Sequence, residues 1–248
     1  MTELYKKSVR NFVSDAKPCE PLIDMINAVI EMPMTDGHCD KCGKCVSNCS
    51  SGAISIEGGW SVDLGKCILC YDCMGSCDHI ISIPAPHYAL DRKDLVISCP
   101  EDVVKCEAKL SKDKIKRIGR SLFIRELDTG SCNACESEVN CTSNKYYDLE
   151  RFGLKIVPSP RHADIILVTG PMTRNMLIAA KKVYDAVPDD KLVVACGACA
   201  ISGGLFVKGD VVGEGVGDTL PVNILIPGCP PSPERIIVSI LKAFGLVH

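Results

Sequence analysis

Residues 39–49 read CDKCGKCVSNC and residues 67–77 read CILCYDCMGSC. Both runs are C-x-x-C-x-x-C-x-x-x-C, and the second repeats the first after 28 residues. A cubane iron–sulfur cluster needs four thiolates around one cage. Gaps of two residues let three of them come from one tight loop, and the fourth comes from the other half of the repeat. This predicts one cage on Cys39, Cys42, Cys45 and Cys77, and a second on Cys67, Cys70, Cys73 and Cys49. Zinc is the competing reading, but tetrahedral zinc sites usually combine two C-x-x-C pairs across a longer loop. A third and a fourth cysteine at these spacings, twice over, suit clusters better.

The double run has the ligand pattern of a two-cluster bacterial ferredoxin, which implies that the chain moves electrons. One departure concerns the residue after the last cysteine. Such runs usually end in C-P, whereas Ser50 follows Cys49 and Asp78 follows Cys77. All eight ligands are present, so the cluster count is unaffected.

The 248 residues suit one large or two small domains. A net charge of −3 argues against a broad nucleic-acid surface. Seventeen cysteines with metal-type spacing indicate a reducing compartment rather than a disulfide framework. The N-terminal MTELYKKSVRNFVSDAKP lacks the apolar core of a signal peptide. No apolar run reaches the ~20 residues of a spanning helix. The expectation is an intracellular chain, soluble or peripheral.

Composition divides the chain into four stretches. Residues 1–35 read as a helical lead-in, with Leu22, Ile23, Ile26, Val29 and Ile30 at helix spacing and Pro33 and Gly37 as stops. Residues 36–86 form an α+β ferredoxin-like module, with a hairpin expected around Gly58-Gly59. Residues 87–119 read as a charged linker whose Lys105, Lys109, Lys112, Lys114, Lys116, Arg117 and Arg120 alternate with Glu101, Asp102, Glu107 and Asp113. That mixture points to a solvated helical face rather than to a nucleic-acid or lipid patch. Cys99 and Cys106 within it lack four-ligand spacing and read as buried or free thiols.

Residues 120–248 alternate short apolar strands with helices. Strands are expected at 121–124, 155–157, 164–168, 191–194 and 222–226, and helices near 172–187 and 232–244. The alternation predicts a small parallel sheet covered on both faces, a flavodoxin-like α/β domain. Cys132, Cys135, Cys199 and Cys229 fall in loops beyond the carboxyl ends of these strands, where open α/β sheets bind ligands. Nearby Gly130, Gly197, Gly203, Gly204 and Gly228 would let backbone approach a bulky cage. The four cysteines suggest a third [4Fe–4S] cluster. Cys196, three residues before Cys199, is the rival ligand, and Cys19 and Cys141 are left over.

Four stretches carry a resemblance: DTGSCNACESE at 128–138, ERFGLKIVPSPRHAD at 150–164, GACAISGG at 197–204 and IPGCPPSP at 226–233. Together they resemble the small subunits of energy-converting (group 4) [NiFe]-hydrogenases, of the formate hydrogenlyase type, over about residues 120–247. The terminal-cluster subunit of respiratory complex I is related, but usually has adjacent cysteines in the first loop. The C-x-x-C of Cys132 and Cys135 favours the hydrogenase side. The fused N-terminal module departs from the family, whose ferredoxin clusters usually sit on a separate subunit.

The resemblance implies an oxidoreductase subunit holding three [4Fe–4S] clusters and no nickel site of its own. It would pass electrons between ferredoxin, or a neighbouring dehydrogenase, and the nickel–iron site of a large subunit. Its place would be the cytoplasmic face of the cell membrane, held there by membrane subunits. The alternative is the equivalent subunit of a nickel-free, complex-I-like ferredoxin-dependent oxidoreductase. The resemblance also places an acidic residue, Glu138, beside the third cluster. It reads either as a proton relay or as a carboxylate satisfied at a helix N-terminus. Arg161 and Asp164 read either as lining the cluster pocket or as a pair near a strand start. His38, His79, His87, His162 and His248 are scattered and read as structural or exposed.

Overall fold

The computed structural model describes residue 25 and residues 30–111, 121–206 and 210–247. In the C-terminal half, five parallel strands form one sheet: β6 (Leu122–Asp128), β7 (Leu154–Ile156), β8 (Ile165–Thr169), β9 (Leu192–Cys196) and β10 (Ile224–Ile226). Their spatial order is β10-β9-β8-β6-β7. Numbered within the sheet this is 2-1-3-4-5, the order of flavodoxin-like doubly wound folds. β8 and β9 are buried at every residue, as strands covered on both faces must be. Residues Pro233–Ala243 form the closing helix, capped by Ser232, whose hydroxyl accepts from the Arg235 amide.

The cysteine-rich half contains two small antiparallel sheets. β1 (Glu31–Thr35) pairs with β4 (Ile80–Pro84), and β2 (Ile54–Ser55) pairs with β3 (Ser61–Asp63), which in turn pairs with β5 (Val96–Ile97). The hairpin expected around Gly58-Gly59 is β2–β3. The sequence repeat is visible in the backbone. Lys41 and Leu69, 28 residues apart, both take a left-handed conformation, and so do Gly43 and Tyr71. The side chains of Asn48 and Ser76, also 28 apart, hydrogen-bond to each other and tie the halves together.

Two expectations change here. Residues 1–35 are not helical to their end, because Glu31–Thr35 is a strand in register with Pro84–Ile80. Pro33 is tolerated there because in a two-stranded ribbon its missing N–H removes no bond to a third strand. The rest of that stretch, apart from Met25 and Ile30, lies outside the described residues. Residues 87–111 also differ from a solvated linker. Leu95 and Ile97 are fully buried, β5 extends the β2–β3 sheet, and Ala89 pairs with Leu225 of the other half. Its helix Pro100–Cys106 does present solvated charge, with Lys105 bonding Asp102 at 2.7 Å. Residues 112–120 lie outside the described residues.

The two halves share a core in which Trp60, Val62 and Ile97 join Leu127, Ala200 and Leu225. They are also clamped by a polar network. Arg235, 2% exposed, donates to the carbonyls of Pro86 and His87. Glu107 accepts from the His87 amide at 2.8 Å, its ring Nδ1 at 2.7 Å and Lys242 at 2.8 Å.

Candidate metal centres

The tight turns between cysteines 39 and 49 place three thiols of the first run around a small cavity. Cys39, Cys42, Cys45 and, from the second run, Cys77 line it together with Trp60 and His79. In the other grouping Cys67 lies within electrostatic reach of Cys70, Cys73 and Cys49. Each run thus sends its last cysteine to the other group. Burial pushes the Cys67 thiol up to about 12 and the Cys73 thiol to about 11, and neighbouring thiols add to both.

The surroundings fit a thiolate-bound, anionic cluster in two further respects. The buried indole N–H of Trp60, on the wall of the first cavity, reaches the Cys45 thiol, where it counters the rise that burial causes, and it would donate to a cluster or thiolate sulfur. Around the second group, the Ala53 amide donates to Cys49 Sγ at 3.2 Å. Donors to sulfur of this kind set cluster potentials.

The third group stands at the carboxyl edge of the parallel sheet. Asp128, ending β6, accepts from the amides of Gly130 and Ser131 at 2.8 Å each, folding the loop that carries Cys132 and leads into helix Ala134–Cys141. Cys199 lies on the short helix Ala198–Ser202 directly after β9, and Cys229 follows β10. Cys132, Cys135, Cys199 and Cys229 lie within electrostatic reach of one another. Burial raises Cys135 strongly and Cys199 to about 11.

Glycine is required around these thiols. A Cβ on Gly197, at φ +92°, would stand 2.7 Å from Cys135 Sγ, and one on Gly204 2.8 Å from Cys199 Sγ. Among the described residues, no three His, Cys, Asp or Glu side chains converge as the ligands of a single ion would. A cage binds each thiolate through a different iron and needs them set apart around it.

Cys196 is not part of this group. It is fully buried on β9 in the apolar core, and its thiol neighbour is Cys135 alone. Cys106 is buried and donates to the Asp94 carbonyl at 2.8 Å, while Cys141 is exposed at the end of its helix. Cys19 lies outside the described residues. Glu138, one turn after Cys135, is half-buried. Asp164 does not line the pocket. It sits at the opposite, amino-terminal edge of the sheet, where its carboxylate accepts from the Phe123 amide at 3.0 Å. Arg161 is exposed. His79 pairs with Asp36 and His87 with Glu107.

Sequence reasoning missed Glu136. It is 7% exposed, and both carboxylate oxygens are buried without a hydrogen-bond partner. Glu126 of β6 lies within reach of it, and burial followed by the charge of Glu136 raises the Glu126 carboxyl to about 6. The only available signal was the position of Glu136 directly after Cys135. A cleft of about 850 Å³ lies elsewhere, between the halves, with Lys66, Arg92, Ser202 and Glu214 on its walls.

Residues 132–243 match the family described as NADH ubiquinone oxidoreductase, 20 Kd subunit. The chain is 41% identical over 152 residues to formate hydrogenlyase subunit 7 of Escherichia coli (strain K12), covering 61% of this chain and 60% of that protein. It is 44% identical over 128 residues to the probable membrane-bound hydrogenase subunit mbhJ of Pyrococcus furiosus, covering 52% and 77%. To an NADH-quinone oxidoreductase subunit of Citrifermentans bemidjiense it is 46% identical over 108 residues, covering 44% and 63%. The chain thus spans about 60% of the first of these relatives. With the cysteine-bearing loops Cys132–Cys135, Cys199 and Cys229 all inside the matched stretch, the chain belongs to the family of the 20 Kd subunit of NADH ubiquinone oxidoreductase, alongside the hydrogenase subunits it resembles.

Proposed function

We propose that this chain is the iron–sulfur electron-transfer subunit of a membrane-associated, energy-converting [NiFe]-hydrogenase complex. The observation that carries the reading is the packing of three cysteine quartets into one continuous body, one of them on the sheet edge of the family domain. The N-terminal half acts as a two-cluster ferredoxin module. Cys39, Cys42, Cys45 and Cys77 hold one [4Fe–4S] cluster, and Cys67, Cys70, Cys73 and Cys49 hold another. Cys132, Cys135, Cys199 and Cys229 hold the third. When bound, such clusters supply one-electron transfer at potentials set by burial and by hydrogen bonds to sulfur.

The protein's own contribution is placement. The sheet edge and its glycines hold the third quartet, the Glu107–Lys242 and Arg235 contacts fix one half to the other, and buried apolar walls exclude water. The partners are a hydrogenase-like large subunit, a ferredoxin or dehydrogenase at the N-terminal module, and membrane subunits that hold the complex at the cytoplasmic face. Among the described residues no helix is long and apolar enough to cross a membrane.

A second reading, a nickel-free complex-I-like ferredoxin-dependent oxidoreductase, draws on the 46% identity to an NADH-quinone oxidoreductase subunit. Anaerobic purification with the native partners distinguishes the two. The proposal expects about twelve irons and twelve acid-labile sulfides per chain, and nickel in the co-purifying large subunit. Clusters without nickel select the second reading; bound zinc with little sulfide overturns both.

A further inference from the structure

The two N-terminal quartets are not equivalent in their surroundings. The cavity of Cys39, Cys42, Cys45 and Cys77 is walled only by residues between Thr35 and Ile80, all from the cysteine-rich half. The loop that leads into Cys67 is instead pressed against the family domain. Gly65, two residues before Cys67, accepts a 2.8 Å hydrogen bond at its carbonyl from the hydroxyl of Ser202. Ser202 is itself buried and lies three residues after Cys199, on the same short helix.

The contact is close on every side. A Cβ on Gly65 would stand 2.8 Å from Ile201 Cγ2 and 2.8 Å from the guanidinium carbon of Arg92. Asp63 holds the loop from within: its carboxylate takes both Arg92 nitrogens at 2.7 and 2.6 Å and the Gly65 amide at 2.9 Å, and its carbonyl accepts from the Cys67 amide at 2.9 Å. The single hydroxyl proton of Ser202 lies between two carbonyls, Gly65 at 2.8 Å and Ala198 of its own helix at the longer 3.1 Å, so the shorter bond to Gly65 is the main one and the rotamer is fixed. A short covalent path therefore runs from Cys67 through Lys66 to the Gly65 carbonyl, crosses one hydrogen bond, and continues from Ser202 through Ile201 and Ala200 to Cys199.

Electron tunnelling falls steeply with distance, and less steeply along covalent and hydrogen bonds than across van der Waals gaps. We infer that the Ser202–Gly65 hydrogen bond is the bridge by which the chain couples its Cys67 quartet to the Cys199 quartet, so that the Cys67 side adjoins the third site and the Cys39 side faces outward. The inference rests on the three-cluster reading above. One electron passes per event, lost on the Cys67 side and gained on the Cys199 side; no bond is made or broken and no proton moves. Ser202 and Gly65 are positioning residues, since neither holds a cluster.

The test uses the anaerobically purified full chain. Its iron and sulfide content is measured first, so that failure of the three-cluster reading is seen by itself. In protein reduced by dithionite, the spin relaxation of the third site should be enhanced by its neighbour. Cys42→Ser should leave that enhancement intact, and Cys70→Ser should abolish it. The reverse pattern, in variants of a wild-type protein shown to carry its full complement of iron, overturns the order.

The bridge is tested by rapid-freeze EPR after mixing with reductant. Ser202→Ala, which removes only the hydroxyl, should retain all three signals but delay the third several-fold relative to the other two. Gly65→Ala, which wedges the loop from the helix, should delay it further and weaken the relaxation enhancement. Should Ser202→Ala fail to assemble its clusters, Gly65→Ala alone carries the comparison. Full signals with unchanged timing in whichever variant assembles overturn the bridge.

Discussion

Glu107→Gln is a test of the clamp between the two halves whose size can be worked from the structure. The carboxylate is drawn in opposite directions. Burial would raise its pKa, but the His87 amide and ring and the Lys242 ammonium outweigh burial and hold it at about 2, against an ordinary 4.5. That difference amounts to ~3 kcal/mol of preference for the charged form. The side chain is 26% exposed, and solvent screening brings the usable part to about 2 kcal/mol. Glutamine keeps an oxygen for the His87 amide but loses the charge and the acceptor that faces Lys242, where its NH2 is a second donor. Opening of this junction should therefore become about 30-fold more frequent, read as faster hydrogen exchange over residues 85–90 in the anaerobic holoprotein.

The pH dependence has a fixed sign. The folded-state pKa lies below the unfolded one, so the contribution is complete above about 4.5 and is lost only as pH falls from there toward about 2. The loss that belongs to the Glu107 carboxyl should consequently appear only below ~pH 5. Lys242→Met should reproduce most of the effect, and the double variant should add little to either single one. Exchange unchanged within about threefold in Glu107→Gln would show that the network is a surface decoration rather than a clamp.

Three further outcomes follow from the sites. Cys196→Ala should retain all three EPR signals and cost about 1 kcal/mol as a small core truncation; loss of the third signal would make Cys196 a ligand. Gly197→Ala should eliminate or distort the third signal alone, because the new Cβ would stand 2.7 Å from Cys135 Sγ at a φ of +92°, a conformation costing about 1–3 kcal/mol for a residue with a side chain. A normal third spectrum in that variant would show that the loop can move freely. Arg235→Gln, which removes a buried positive charge within electrostatic reach of Cys67, should lower the midpoint potential of the Cys67 site and leave the Cys39 site unmoved. An unchanged potential in folded variant protein would mean that the charge is screened.

The sheet was legible because its strands are short β-branched runs with no competing helix period. The expected 164–168 became Ile165–Thr169, and 191–194 became Leu192–Cys196. β6 runs on through Glu126, Leu127 and Asp128 to pair with β8 up to Thr169, and those charges at its carboxyl end concealed the extension. At β10 the error was reversed. Asn223 keeps its amide on the Val193 carbonyl but accepts from the Val193 amide through its side chain rather than its backbone, so the strand starts at Ile224. The cysteine spacing encodes a local turn, and it brings the thiols of each run close together in the structure.

What stayed hidden depends on partners far along the chain. Pro33 read as a helix stop because nothing nearby reveals that β4, almost fifty residues on, will pair with its segment. Residues 87–111 read as solvated because their charges are countable locally, whereas the burial of Leu95 and Ile97 depends on β3 and the inward turn of Glu107 on Lys242. Glu136 was invisible for the opposite reason, since its distinction is the lack of any partner. The relation between the quartets was the least accessible of all. Each quartet is written in its own motif, but the contact that makes one N-terminal site inner and the other outer joins Gly65 to Ser202 across 137 positions. Gly65 lies outside the cysteine runs, and Ser202 stands in the 197–204 stretch without being one of its ligands. A glycine with no room for a Cβ and a serine with its hydroxyl committed are ordinary in sequence, and only their meeting gives the sites an order.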